Sequence, residues 1–232
     1  MKIDISVIIP VLNEQAGIND AVKNLYDQSF PGTIEVIVVD GQKDGATISC
    51  ILNSKVIKGI SAPGRGRQMN SGAKMASGET LVFLHCDTVL PENAFQLVQT
   101  AMQNKRVNAG AFDLSIGGDA VAYRVIEKTV SFRSRLTKIP YGDQAIFIRR
   151  SLFFRLGAYR DIPVMEDVDL MRRIKREKGS ICFIDKPVTT SPRRWQKEGL
   201  VRCTLRNWML ISLYLCGKKP EKLARFYKNN AG

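Results

Sequence analysis

With 232 residues and a hydrophobic fraction of 44%, the chain fits one large α/β domain, or one and a half ordinary ones, with a sizeable core. A formal net charge of +13 points to anionic surroundings: phosphorylated substrates, lipid head groups or nucleic acid. Five scattered cysteines, odd in number and without a CxxC pair, argue against a disulfide framework or a zinc site and suit a reducing cytosol.

The amino terminus, MKIDISVIIPVLNE, is too short and too interrupted by Asp4 and Pro10 for a secretory leader. Ile3 to Val11 reads as a strand, after which Asn13 is placed to cap a helix with Ile18, Ala21, Val22 and Leu25 at helical spacing. Ile34 to Val39 is a continuous apolar run, as in a strand covered on both faces, and ends in Asp40. A short helix over Thr47 to Leu52 and a weaker strand over Lys55 to Ile60 follow. The loop SAPGRGRQMNSGAK then runs into a helix ending at Ala76. Its glycines with Arg65 and Arg67 near a helix start could hold phosphate, although a solvated basic loop has the same composition. It is not a Walker sequence, since no GKS or GKT follows, nor a dinucleotide fingerprint, since it does not follow the first strand.

Leu81 to Leu84 is a short buried strand, and His85, Cys86 and Asp87 stand at its carboxyl end, where open α/β sheets bind ligands. In a continuing extended backbone His85 and Asp87 leave the same face and can converge on one ion. Asp is also an ordinary turn residue, so this pattern draws its weight from its neighbours. Pro91 opens a helix to about Asn104.

Val107 to Ile116 and Asp143 to Ile148 read as strands joined by a helix containing Val121, Val125, Ile126 and Val130, an arrangement that fits a smaller, substrate-facing sheet. Val164 to Lys178 is a helix opening with Glu166 and Asp167 and closing with bases, as the helix dipole prefers. After a last strand, Ile181 to Ile184, the loop TTSPRRW precedes two helices, Gln196 to Cys216 and Pro220 to Lys228. Trp208, Leu210, Ile211, Leu213, Tyr214 and Leu215 give the first of these a wide apolar surface beside Lys218, Lys219, Lys222 and Arg225. That surface could lie on an anionic membrane, in a homodimer or against the domain. Trp208 to Cys216 is about half of the ~20 residues that a spanning helix requires.

The phrases SVIIPVLNE, VIVVDG, GRGRQMNSGA, FLHCDT, GAFDL, IPYGDQAIF, MEDVDL and TTSPRRW, taken in this order, resemble the family 2 glycosyltransferases. The closer likeness is to a short subgroup called radical-SAM- or selenodomain-associated transferases, some of which are linked to arsenosugar synthesis. The resemblance covers nearly the whole chain. It implies one nucleotide-diphospho-sugar transferase (GT-A) domain over residues 1–232, with a mostly parallel sheet, helices on both faces and a helical carboxyl-terminal extension. Residues 1–105 would form the nucleotide-binding half, 106–195 the acceptor side and 196–232 the terminal helices. Pro10, Val11, Asn13, Glu14 and Asp40, with Arg65, Arg67 and Asn70, would bind the donor. His85 and Asp87 would replace the usual DxD metal motif, with manganese or magnesium as the cofactor.

Asp167, beside Glu166, corresponds to the general base, and inversion of configuration is implied. Gly142, Asp143, Gln144, Arg194 and Trp195 would face the acceptor or the diphosphate, Ser191 replacing the glutamine of a QxxRW motif. In DGQKDGAT the two Asp-Gly pairs are separated by one residue fewer than in the usual DGGSTDGT. The implied reaction moves a sugar to a hydroxyl acceptor in the cytoplasm or on the cytoplasmic membrane face, with no nucleic acid as partner. A nucleotidyltransferase would carry a lysine-bearing glycine loop after the first strand, where this chain reads PVLNEQAG; a non-enzymatic basic protein would show salt-sensitive binding to bulk RNA or membrane. The enzymatic reading expects Asp40, Asp87 and Asp167 to line one cleft.

Overall fold

In the computed structural model, residues 2–228 are described. The amino-terminal half alternates β1 (Ile5–Val11), α1 (Ile18–Tyr26), β2 (Ile34–Asp40), α2 (Ala46–Ser49), β3 (Ile57–Ile60), α3 (Arg65–Met75) and β4 (Thr80–Phe83). A two-residue strand, β5 (Thr88–Val89), and α4 (Ala94–Gln103) complete it. The remainder comprises β6 (Val107–Ile116), α5 (Val121–Thr137), β7 (Phe147–Arg149), α6 (Arg150–Arg155), α7 (Glu166–Arg176), β8 (Ser180–Thr190), α8 (Arg193–Glu198), α9 (Leu200–Leu215) and α10 (Pro220–Lys228).

All eight strands join one sheet in the order β3-β2-β1-β4-β7-β6-β8-β5. Four pairings are parallel, and only β7 and β5 run against their neighbours. The smaller separate sheet expected from the second half therefore does not form. β7 inserts between β4 and β6 and makes the sheet continuous.

Alternation along β1 explains the two cores. Ile5, Val7 and Ile9 pack with Val22 and Leu25 of α1 and Phe95 and Val98 of α4. Ile8 points to the opposite face, with Met69 and Ala73 of α3 and Leu170, Met171 and Ile174 of α7. Each fully buried Ile or Leu contributes roughly 2 kcal/mol, so strands apolar on both faces are driven to the sheet centre. α3 lies so close that a Cβ on Gly72 would stand 2.5 Å from Ile8 Cγ2. A third cluster, Val164, Met165, Val168, Leu210 and Leu223, seats α9 and α10 on the start of α7. Thus Leu210 of the apolar helix is buried, while Trp208 and Leu215 remain exposed.

Several local expectations change. Asn13 does not cap α1. It takes a left-handed φ of 59° two residues beyond β1, and α1 begins only at Ile18. The backbone after β4 does not stay extended, because Thr88 N–H donates to His85 C=O and closes a turn through Cys86 and Asp87. The glycine-rich loop is mostly helix: α3 starts at Arg65, and Gly66 lies within it against the Arg160 carbonyl. The expected strand from Asp143 begins at Phe147, preceded by a 3-10 turn over Gly142–Gln144.

Candidate active site

Three chain reversals meet at the carboxyl edge of β4. The turn bearing His85 and Asp87 leaves β4 there. Antiparallel β7 enters from the same edge, which brings the Gly142–Gln144 turn beside it. Ser191 N–H, one residue beyond β8, donates to the Asp87 carbonyl and draws α8 with Arg194 and Trp195 over the edge. Met165, left-handed at φ 68°, turns the chain into α7 so that Glu166 and Asp167 open that helix. A non-glycine residue in that region costs on the order of 1 kcal/mol, a strain that tends to gather at functional sites.

These segments enclose an open cavity of about 190 Å³ whose walls include Arg65, His85, Asp87, Gly142, Asp143, Asp167, Arg194 and Trp195. Gly142 separates His85 from Asp167: a Cβ there would come within 3.3 Å of His85 Nε2 and 3.4 Å of Asp167 Oδ2. Its N–H donates to Asp167 Oδ2 at 2.7 Å, and Val168 N–H donates to Oδ1 at 2.7 Å. A carboxylate has about four acceptor sites, so Asp167 is fixed in direction and can still accept a proton from a hydroxyl in the cavity.

Glu166 has a different task. It is buried, and Arg65 Nε donates to its Oε1 at 2.8 Å, so it aims Arg65 into the cavity rather than lining it. Burial raises the Glu166 carboxyl above its ordinary range, with Asp167 adding to the rise and Arg65 opposing it. Gln144 is also buried. It donates to Phe112 C=O and accepts from Ser134 and from Tyr141 N–H, which pins the 3-10 turn. Asn70 exchanges two hydrogen bonds with the Tyr159 backbone, and exposed Arg67 pairs with Asp161 at 2.6 Å; neither belongs to the cavity wall.

Asp40 departs furthest from expectation. It is fully buried, with Oδ1 accepting Gln42 N–H and Oδ2 accepting Thr47 N–H, so it does not share the cleft of Asp87 and Asp167. The short DGQKDGAT loop folds directly into α2 through left-handed Gly45, and Asp40 holds that turn. Pro10 and Val11 close β1, and the Val11 carbonyl accepts from Gln68 of α3. Glu14 lines a neighbouring cavity of about 240 Å³ that shares Asp87 and Ser191 with the first. Arg193 bridges the two, 3.5 Å from Glu14 and 3.4 Å from Asp87. Sequence reasoning chose Arg194 from TTSPRRW and passed over Arg193. It also passed over Glu198, which pairs with Arg194 and with buried Arg206.

Burial drives the His85 imidazole down to about 4, with Arg65 adding to the shift and Asp87 and Asp167 opposing it. It is therefore neutral near pH 7, with a lone pair available for a cation. The Cys86 thiol is pushed up to about 12, mainly by burial, and stays protonated. Among the described residues no cluster of three or more His, Cys, Asp or Glu side chains could hold a metal. The donor set of His85 and Asp87 fits a cation that takes its other ligands from a diphosphate and water, as magnesium-type sites do. It does not fit a cage built from protein alone.

Asp143 carries a pH prediction. Burial raises its carboxyl to about 6, with Arg133 opposing and Asp167 reinforcing the rise. The folded chain then binds more protons than the unfolded chain between roughly pH 4 and 6, so this group's contribution to stability is lost as pH rises through that window. Asp143→Asn should therefore gain stability relative to the parent as pH rises from 4 to 7. Because the cavity is open to solvent, the gain should be on the order of 2 kcal/mol rather than the full linkage value. Urea denaturation at each pH measures it, and a pH-independent difference would place the proton elsewhere.

The Glycosyl transferase family 2 model matches residues 6–162. An "Uncharacterized glycosyltransferase" of Haemophilus influenzae is 24% identical over 80% of this chain and 67% of its own length. The "Probable glycosyltransferase YdaM" of Bacillus subtilis is 24% identical over 84% of this chain, which spans 50% of that relative. Among solved structures, the 1-349 fragment of S. aureus TarS superimposes with a TM-score of 0.65 at 17% identity, covering 95% of this chain and 68% of the fragment. The same fragment in complex with UDP-GlcNAc gives 0.61 at 18% identity, over 82% of this chain and 58% of the fragment. The fold is thus that of the GT-A glycosyltransferases. With more than half of its residues matched by the family model, the chain belongs to glycosyl transferase family 2.

Proposed function

We propose that this protein transfers a sugar, with inversion, from a nucleotide-diphospho-sugar to a hydroxyl acceptor, with a divalent cation bound at Asp87 and His85. The observation that carries the reading is the meeting of Asp167, Asp87, neutral His85 and Arg65 around one cavity at the carboxyl edge of the sheet. Asp167, fixed by the Gly142 and Val168 amides, removes the acceptor proton as oxygen attacks the anomeric carbon from the face opposite the nucleotide. On this reading Arg65, paired with Glu166, and Arg194, paired with Glu198, stabilise the charge that develops on the departing diphosphate; their place in the cavity wall supports that role. When bound, manganese or magnesium supplies Lewis-acid stabilisation of that leaving group.

The nucleotide is uridine diphosphate on this reading, which the S. aureus TarS complexes with UDP and UDP-GlcNAc support. The subgroup likeness to radical-SAM-associated transferases belongs to the same proposal and rests on the ordered motifs. A cytoplasmic setting fits the five free cysteines, and no helix among the described residues is long and apolar enough to cross a membrane. A thermal-shift screen of UDP, GDP, CDP and dTDP, each with and without manganese, tests the donor. UDP with manganese should raise the melting point most, by about 2.7 kcal/mol of stabilisation at a concentration 100 times its Kd. A screen in which no nucleotide shifts the transition would remove the reading.

A further inference from the structure

A second cavity, of about 300 Å³, lies between α5 and α9 beside the catalytic one. Tyr141, Val168 and Ile211 line both cavities, and Val168 follows Asp167 in the chain, so the two spaces adjoin beside Asp167. Arg133 lies on the groove side of this junction, its guanidinium carbon 3.3 Å from the centre of the Tyr141 ring. Beyond the junction Trp208 and Leu215 line the groove while staying 46% and 47% exposed. Scattered apolar residues are ordinary on a surface, but a mostly apolar groove that adjoins a cavity holding Asp167 has a polarity gradient with a direction.

We propose that the acceptor is a single-chain amphiphile whose hydroxyl reaches Asp167 and whose aliphatic body lies in the α5/α9 groove. This deepens the glycosyl-transfer reading and rests on it. A small polar acceptor would leave Trp208, Ile211 and Leu215 as an apolar wall with no contact to make. A second copy of the chain seated there would cover the end of the groove that adjoins the Asp167 cavity. An aliphatic chain satisfies both conditions, since it covers the wall and leaves its polar end at the base.

The chain has two tryptophans, Trp195 in the catalytic cavity and Trp208 in the groove. A Trp195→Phe protein, used for binding only, leaves Trp208 as the single indole reporter. Titration with 1-butanol, 1-hexanol, 1-octanol and 1-decanol, each below its aggregation limit, should shift Trp208 emission to shorter wavelength and saturate. Affinity should tighten roughly fourfold per added methylene until the groove is filled. Adding Ser212→Phe, at an exposed groove position, should weaken decanol binding at least tenfold without changing the UDP-induced thermal shift.

Affinities independent of chain length, or unchanged by Ser212→Phe, would overturn the proposal. So would a dimer in sedimentation that Ser212→Phe returns to monomer in the absence of any alcohol response. No alcohol binding by the Trp195→Phe protein, with the UDP shift retained, rejects the groove alone. Alcohol binding with no nucleotide shift rejects the transferase reading, and with it the role of the alcohol as acceptor.

Discussion

Asp167→Asn should lower glycosyl transfer by about 10² to 10⁴ while leaving UDP affinity within about threefold of the parent, because a positioned base is worth that factor in rate and the donor does not depend on it. The side chain is a good test because its surroundings are specified. Val168 N–H can still donate to an amide oxygen, whereas Gly142 N–H, now 2.7 Å from Oδ2, would face an amide nitrogen if the oxygen keeps its bond to Val168. One lost hydrogen bond costs about 1 kcal/mol, equivalent to a melting point lower by roughly 2–4 °C in a chain of this size. Assays well below the transition therefore separate chemistry from folding. Turnover within tenfold of the parent would take the base role away from Asp167. Parallel loss of UDP binding would make it a positioning residue for the 3-10 turn and the donor.

The legible and illegible parts of this molecule divide along physical lines. Buried strands read clearly because continuous apolar runs such as Ile34 to Val39 have few alternatives, and the long β6 agrees with its expected bounds from Val107 to Ile116. The start of α7 was legible too, since acids at one end and bases at the other complement the helix dipole. What the sequence hid was direction. A carboxylate after a strand can face a cleft or fold inward, and Asp40 folds inward because the shortened loop offers it the amides of Gln42 and Thr47. Glu166 and Asp167 are adjacent and alike in type, yet a helix separates neighbouring side chains by about 100°, so one holds Arg65 inside while the other faces the cavity. The glycines of GRGRQMNSG read as loop formers, whereas Gly66 and Gly72 allow α3 to approach the Arg160 carbonyl and Ile8. The apolar face of α9 was legible, but its place beside α5, with Tyr141 and Arg133, was hidden because that neighbourhood arises only in the folded chain. The enzymatic reading therefore rests on Asp87, Asp167 and the family match, and no longer on Asp40.

Asp87→Ala should remove the manganese-dependent part of UDP affinity, a loss of roughly 10² or more, while changing stability by less than about 1 kcal/mol. The small structural cost follows from its contacts. The Asp87 side chain is 31% exposed and its carboxylate partner is Arg193 at 3.4 Å, which keeps Glu14 at 3.5 Å when Asp87 is truncated. An ion pair this open contributes about 0–1 kcal/mol. The Asp87 carbonyl, which accepts Ser191 N–H and anchors α8, is untouched by the substitution. Binding should respond differently, because on the proposed reading Asp87 and His85 are the protein ligands of a diphosphate-bound cation, and neutral His85 alone would supply no charge to it. Arg193→Ala provides the contrast. It frees the Asp87 carboxylate from a resident cation, so manganese-dependent UDP binding should persist or tighten while metal-free binding falls. Isothermal titration of UDP with manganese and with a chelator distinguishes the two variants. Equal UDP affinity for Asp87→Ala and the parent in manganese would take Asp87 out of the metal site and leave the diphosphate to Arg65 and Arg194.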